Sequence, residues 1–301
     1  MNFAPIVLFV YNRPWHTQQT VEALLKNAEA GDSDLIVFSD GAKDDVSRVQ
    51  VDEVRQYLRT IKGFKSIRIV DQDKNRGLAQ SIISGVTEVV NEFGCIIVLE
   101  DDMVTSPYFL KYMNDGLELY ASEDKVISVH AYSFPIENLP ETFFIKGASC
   151  WGWATWKRGW GLFEGNGSLL FDRLQEAGLM DRFNLCGAYP YETMLLDQIQ
   201  GKNDSWAIRW YASALLKDKL SLHPGRSLLM NIGVDGSGTH CGSNNTFYSI
   251  ISDTPVRVGG IEVDENKRAF NQWLDFFTSK VIASGRLRMF VRKVFGLFRK
   301  Y

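Results

Sequence analysis

Three consecutive acids, Glu100-Asp101-Asp102, follow directly on the apolar run at 95–99 (CIIVL). Carboxylates crowded in this way repel one another unless a cation stands among them. Their hard oxygen atoms suit magnesium or manganese, and such an ion neutralises the charge that grows on a departing diphosphate. One carboxylate then holds the ion while its neighbours orient hydroxyls of the bound molecule. A solvated strand end, with acids capping a helix before Pro107, is the plainer alternative for the triplet taken alone. Two more polar groups close apolar runs: Asn12-Arg13 after 5–11 (PIVLFVY), and Asp40-Gly41 after 35–39 (LIVFS). Taken singly, Asp-Gly is a common turn pair and Arg13 a surface arginine beside a proline turn.

The elements that must position these groups alternate. Strands are expected at 5–11, 35–39, 66–70 and 95–99. Between them lie helices after Thr17 as cap, with Val21, Leu24 and Leu25 on one face, then at 51–61 and 78–93. Continuous apolar strands separated by helices imply a parallel sheet covered on both faces, with ligands beyond the carboxyl ends of its strands. Asn12, Arg13, Asp40 and the acidic triplet therefore gather along one edge. The second half changes character: tryptophan and glycine crowd 143–165, helical patterns follow at 168–183 and 204–216, a short strand at 219–222, and a small-residue loop at 231–242 (NIGVDGSGTHCG).

With 301 residues, 45% apolar and 23% charged, the chain can bury a large α/β core. A formal net charge of -3 gives no reason to expect nucleic acid as a partner. Four scattered cysteines without a CxxC pair suit a reducing compartment. The N-terminus lacks a basic region and a small-residue cleavage site, and no apolar run reaches the ~20 residues of a membrane span, so a cytoplasmic protein is expected.

The run IIVLEDDM, placed after 5–11 and Ser39-Asp40, resembles nucleotide-sugar glycosyltransferases of the GT-A fold. The similarity is greatest to bacterial family 2-like sugar transferases and extends more distantly to animal N-acetylglucosaminyltransferase I, whose metal motif has the same Glu-Asp-Asp form. It covers about residues 4–245. It implies a donor-binding half at 1–125, an acceptor-binding and catalytic half of the same domain at 126–260, and a helical tail at 261–301. The implied activity is a metal-dependent, inverting hexosyl or N-acetylhexosaminyl transfer from a UDP-sugar to a glycan, in polysaccharide biosynthesis. By motif, Asp102 corresponds to the direct ligand of Mn2+ or Mg2+, while Asp101 and Glu100 face ribose and sugar. Asp40 takes the position that accepts from the uracil ring, and Arg13 stands near base and phosphates. A carboxylate recognises an imide N–H, and a guanidinium matches phosphate oxygens. Arg76, in Asn75-Arg76-Gly77, points toward the donor in such relatives, although a plain helix start explains it as well.

A general base must come from the second half. Asp204, before Trp206 at a helix start, resembles the Asp-Asp-Trp element of the animal enzyme, although Ser205 occupies the nearer position; an N-cap role is its plain reading. Asp197 and Asp235 compete with it. His240, ending a glycine-rich segment, is a second metal-ligand candidate, because glycines let such a segment bend over a bound donor. Gly152 and Trp153 are candidate acceptor contacts; packing is the ordinary use of so many aromatics. After Asp275 the chain has no acid, and Leu287, Phe290, Val291, Val294 and Phe298 recur at helical spacing among basic residues. Such a helix lies on an anionic membrane, which suits a lipid-linked acceptor, or else packs on the domain or on a second copy of the chain. A sugar nucleotidyltransferase could use the same sheet but usually has a glycine-rich phosphate loop at its first strand, which YNRPW is not. A non-catalytic, membrane-associated binding protein is the remaining class.

Overall fold

A computed structural model describes residues 3–233 and 245–282. The donor-side half follows the alternation read from the sequence: β1 (Ile6–Val10), α1 (Pro14–Leu24), β2 (Asp34–Ser39), α2 (Asp45–Leu58), β3 (Ser66–Asp71), α3 (Leu78–Phe93) and β4 (Cys95–Glu100). These four strands are parallel, in the order β3-β2-β1-β4. Side chains alternate across a strand, and both faces of β1 are buried. Ile6, Leu8 and Val10 pack with Val21, Leu24, Val54 and Leu58 of α1 and α2, whereas Val7 and Phe9 pack with Ile82, Val86 and Val89 of α3.

Two helix starts differ from expectation. Proline, with its fixed φ and missing N–H, is suited to a first helical turn, and α1 begins at Pro14. Thr17 is therefore inside the helix, its hydroxyl donating back to the Arg13 carbonyl at 2.9 Å. Helix α2 starts six residues before Val51, because the Asp44 carboxylate and the Ser47 hydroxyl cap each other's backbone N–H.

After β4 come β5 (Met103–Thr105), α4 (Phe109–Leu119), β6 (Val126–His130), β7 (Thr142–Lys146), β8 (Trp153–Trp156) and α5 (Lys157–Trp160). The expected helix at 168–183 is two, α6 (Gly167–Glu176) and α7 (Met180–Phe183). Then follow α8 (Tyr191–Ile199), α9 (Trp206–Leu216), β9 (Leu220–Pro224), β10 (Leu229–Asn231) and α10 (Lys267–Phe276). The second half extends the first sheet, whose full order is β3-β2-β1-β4-β8-β6-β9-β7 with β8 antiparallel to both neighbours, and adds a two-stranded sheet of β10 with β5. The architecture is mixed α/β, a large central sheet flanked by helices, as the GT-A resemblance implies. Helix α10 covers the outermost strand, packing Phe270, Trp273 and Phe276 on Phe143 and Ile145. Among the described residues no helix is long and apolar enough to cross a membrane.

Candidate functional site

Where β4 ends, the chain turns through Asp101 and Asp102 into β5. Thr20 of α1 fixes this turn, its hydroxyl donating to the Asp101 carbonyl at 2.8 Å and accepting from the Met103 amide at 3.0 Å. β5 then pairs antiparallel with β10, setting Asn231 opposite Met103. The Ile232 amide donates to the Asp102 carbonyl at 2.8 Å, so a segment 130 positions along the chain is held against the acids.

Arg13, just past β1, joins both aspartates. Its Nη2 contacts the Asp101 Oδ1 and lies 2.9 Å from the Asp102 Oδ2. Asp101 accepts further from the Tyr11 amide at 3.4 Å. The Asp102 Oδ1 is buried and meets no hydrogen-bond donor among the described residues. Gly233 closes the other side: a Cβ there would stand 2.1 Å from the Asp102 Oδ2, so any larger residue would push that carboxylate aside. Burial opposes the Arg13 charge, but Asp101 and then Asp102 outweigh it and raise the guanidinium above its ordinary range. Burial first, then Asp102 and Asp101, push the Glu100 carboxyl up to about 8. Burial also raises Asp101, with Arg13 pulling the other way.

Among the described residues no group of three or more His, Cys, Asp or Glu side chains is arranged to hold a metal ion. The unpartnered Asp102 oxygen nonetheless fits one. Magnesium-type ions are commonly held by one or two carboxylates while substrate phosphates and water complete the shell. A buried carboxylate oxygen lacking a donor is a costly group that a cation would satisfy.

Asp40 takes a different part from the one expected. Its Oδ1 accepts from the Gly41 and Arg76 amides at 2.9 and 2.8 Å, and its Oδ2 from the Gly77 amide and the Asn75 side chain at 2.9 and 3.1 Å. A carboxylate has about four lone-pair sites, and all four are taken. The residue holds the turn before α3, with nothing left over for an imide. Arg76 contributes its backbone to this knot and leaves its side chain exposed. Arg55, which the sequence reading did not single out, braces the same corner by donating to the Gln72 carbonyl at 2.8 Å and the Asp40 carbonyl at 3.3 Å.

On the acceptor side, Asp204 precedes α9. Ser205, not Asp204, caps that helix through the Ile208 amide, while Asp204 pairs with Arg209 at 2.9 Å and has a 70% exposed side chain. The first turn of α9 stacks Trp206 on Trp153, which is opposite Val98 of β4 in register. Asp197 pairs with Lys202 at 3.3 Å in the helical layer of α6, α8 and α9. The expected sugar contact through Trp153 is corrected: its ring is 1% exposed, enclosed by Trp160, Trp206 and Trp210. Gly152 is a backbone joint with φ +58°, where a Cβ would lie 2.2 Å from Leu229. Half-buried Trp151 is instead the aromatic that reaches the strand-end side, edge-on to Tyr132 with centroids 4.7 Å apart. His240 and Asp235 lie outside the described residues.

Residues 6–138 match the family described as Glycosyl transferase family 2, a span that holds β1 to β6, Arg13, Asp40 and all three acids. No curated protein matches the sequence. Among solved structures, the chain is similar to the mannosyltransferase PcManGT from Pyrobaculum calidifontis in complex with GDP-Man and Mn2+. That likeness has 14% identity and a TM-score of 0.33, covering 44% of this chain and 37% of the other. It is also similar to S. aureus TarS at 12% identity, covering 48% of this chain and 24% of that one, with a TM-score of 0.30. A third likeness is to a protein described as a nucleotide-diphospho-sugar transferase from Desulfovibrio desulfuricans G20. Its identity is 11%, with 55% of this chain and 69% of that chain covered and a TM-score of 0.36.

Proposed function

We propose that this chain, a family 2-like transferase of the GT-A fold over its residues 6–138, moves a sugar from a nucleotide diphosphate donor to an acceptor hydroxyl with inversion. The observation that carries the reading is the exit of β4, where two buried aspartates meet Arg13 and one Asp102 oxygen is left without a donor.

The donor diphosphate lies beyond the strand ends, with Arg13 offering a planar fork of N–H groups to its oxygens. Asp102 would hold Mn2+ or Mg2+, since its buried oxygen without a donor is the group such an ion satisfies. When bound, the ion supplies positive charge where the leaving diphosphate gains negative charge. Glu100 stands beside the sugar hydroxyls. Asp204 takes the proton from the acceptor hydroxyl as that oxygen forms its bond to the anomeric carbon, and the bond to the diphosphate breaks on the opposite face. The stereochemistry and the choice of Asp204 rest on the resemblance of the sequence, supported by the Trp206–Trp153 stack that brings α9 to the strand beside β4.

The preference for UDP expected from Asp40 loses its physical support, since that carboxylate is saturated by the turn; base recognition falls to other groups. A glycan or lipid-linked glycan acceptor fits the half-buried Trp151, which stands before β8 and packs edge-on against buried Tyr132, and the basic C-terminal residues suit peripheral contact with an anionic membrane. The test is donor hydrolysis and transfer with UDP-, GDP- and TDP-sugars plus manganese, comparing the native chain with Asp102→Asn. Turnover of at least one donor, lost by about 100-fold or more in the variant, is expected. Equal rates in both proteins, or turnover of none of the donors, would sink the reading. A nucleotidyltransferase would instead make a nucleotide sugar from a nucleoside triphosphate and a sugar phosphate.

A further inference from the structure

We propose that Arg13 is the internal counter-ion of the acidic pair, standing in for the divalent cation until a diphosphate draws it away. This rests on the cation-dependent reading above. One guanidinium reaches both Asp101 and Asp102, and the three side chains are 18%, 5% and 9% exposed, so water does little to screen them. The contact also fills the side of Asp102 that carries Oδ2, where the Gly233 backbone leaves no room for another ligand. A Cβ there would meet the Asp102 Oδ2 at 2.1 Å and the Arg13 Nη1 at 2.9 Å. An incoming ion therefore has only the Oδ1 side of the carboxylate and arrives within a few ångströms of a buried positive charge.

Two consequences follow from Coulomb's law. Without a diphosphate, the ion and the guanidinium compete for the same negative charge, and the ion binds weakly. A diphosphate offers new oxygens to both and removes the competition. The donor and the cation then raise each other's affinity, equally and in both directions as linkage requires, and Arg13 sets the size of that coupling. The device guards the site against holding a metal ion when no donor is present.

The experiment is calorimetric titration of Mn2+ alone, and of Mn2+ with saturating UDP, into the native full-length chain, Arg13→Met and Arg13→Met/Asp101→Asn. The double variant removes one positive and one negative charge together, so it keeps the cluster balanced if the single variant fails to fold. The expected result is weak Mn2+ binding by the native chain, strengthened by UDP, binding of Mn2+ alone at least about tenfold tighter in Arg13→Met, and in both variants a gain from UDP at least about tenfold smaller than in the native chain. Unchanged or weaker Mn2+ binding in Arg13→Met, or a native-sized gain from UDP in either variant, while UDP still brings Mn2+ onto the native chain, would overturn this inference alone. Absence of Mn2+ binding from every protein, with and without UDP, would overturn the cation-dependent reading and this inference with it.

Discussion

His130 and His223 stack face to face in the core, their ring centroids 4.8 Å apart and their planes 16° from parallel. His130 touches the Ser128 hydroxyl at 2.8 Å, which in turn meets Ser221 at 2.7 Å; Phe143 and Trp273 enclose His223. Burial lowers both rings, His223 to about 3, with His223 also lowering His130. Both are neutral in the folded chain and charge when it unfolds. Their stabilising contribution is complete above the unfolded value near pH 6.5 and is lost as pH falls below it towards the folded values. His223 alone is expected to cost about 2 kcal/mol between pH 6.5 and pH 5. Urea midpoints measured across that interval check this, and a flat profile would refute it.

Replacing Asp40 by Asn is expected to destabilise the fold by about 2–3 kcal/mol, since two of the four N–H groups lose their acceptor to an NH2 that donates in its place, and the other two lose the charge of theirs. Because the carboxylate organises a turn, donor affinity should fall by the same factor for UDP, GDP and TDP. Competition binding with the three nucleotides checks this. A loss for UDP and TDP that spares GDP would show direct contact with the imide of a pyrimidine base.

Gly233→Ala places a methyl group 2.1 Å from the Asp102 Oδ2. Binding of donor and manganese is expected to fall by about tenfold or more, while the melting temperature falls by only a few degrees because the atoms the methyl meets belong to the Asp102 and Arg13 side chains rather than to backbone. Calorimetry paired with a thermal melt separates the two. Undiminished binding would mean that the backbone there retreats freely.

Asp204→Asn should lower kcat by about 10²–10⁴-fold and leave donor binding intact, as removal of a general base does. Arg209 keeps a partner in the Ser205 carbonyl at 3.1 Å, so the helix start survives. A kcat within a few-fold of the native value would pass the role to Asp197 or to a residue outside those described.

The donor-side half of the fold was legible because its signals are local. Apolar runs separated by amphipathic stretches mark β1 to β4, and Gly94 in the left-handed conformation ends α3 where the pattern ends. What escaped depends on partners far along the chain. Trp153 reads equally well as an exposed platform or a core residue until Trp206 and Trp210, more than fifty positions later, are seen to enclose it. Asp40 shows no sign in its own neighbourhood that residues 75–77 exhaust its oxygens. Thr20 and Arg55 are ordinary members of helical patterns, and Gly233 is one glycine among 25. The start of α2 was missed for another reason: its cap uses serine at the third position, where the usual signature has a glutamate or glutamine.

The place of β8 in the sheet has a practical outcome. Among the described residues β6 pairs only with β8 and β9, and both begin after residue 138, the last that matches the family. An expressed fragment ending there would carry two strands, β5 and β6, with no neighbours and, at β4, a bare row of amides and carbonyls along Cys95–Val98. Raw strand borders of this kind join other molecules. Such a fragment is thus headed for inclusion bodies, and binding studies belong with a polypeptide that retains at least β8 and β9.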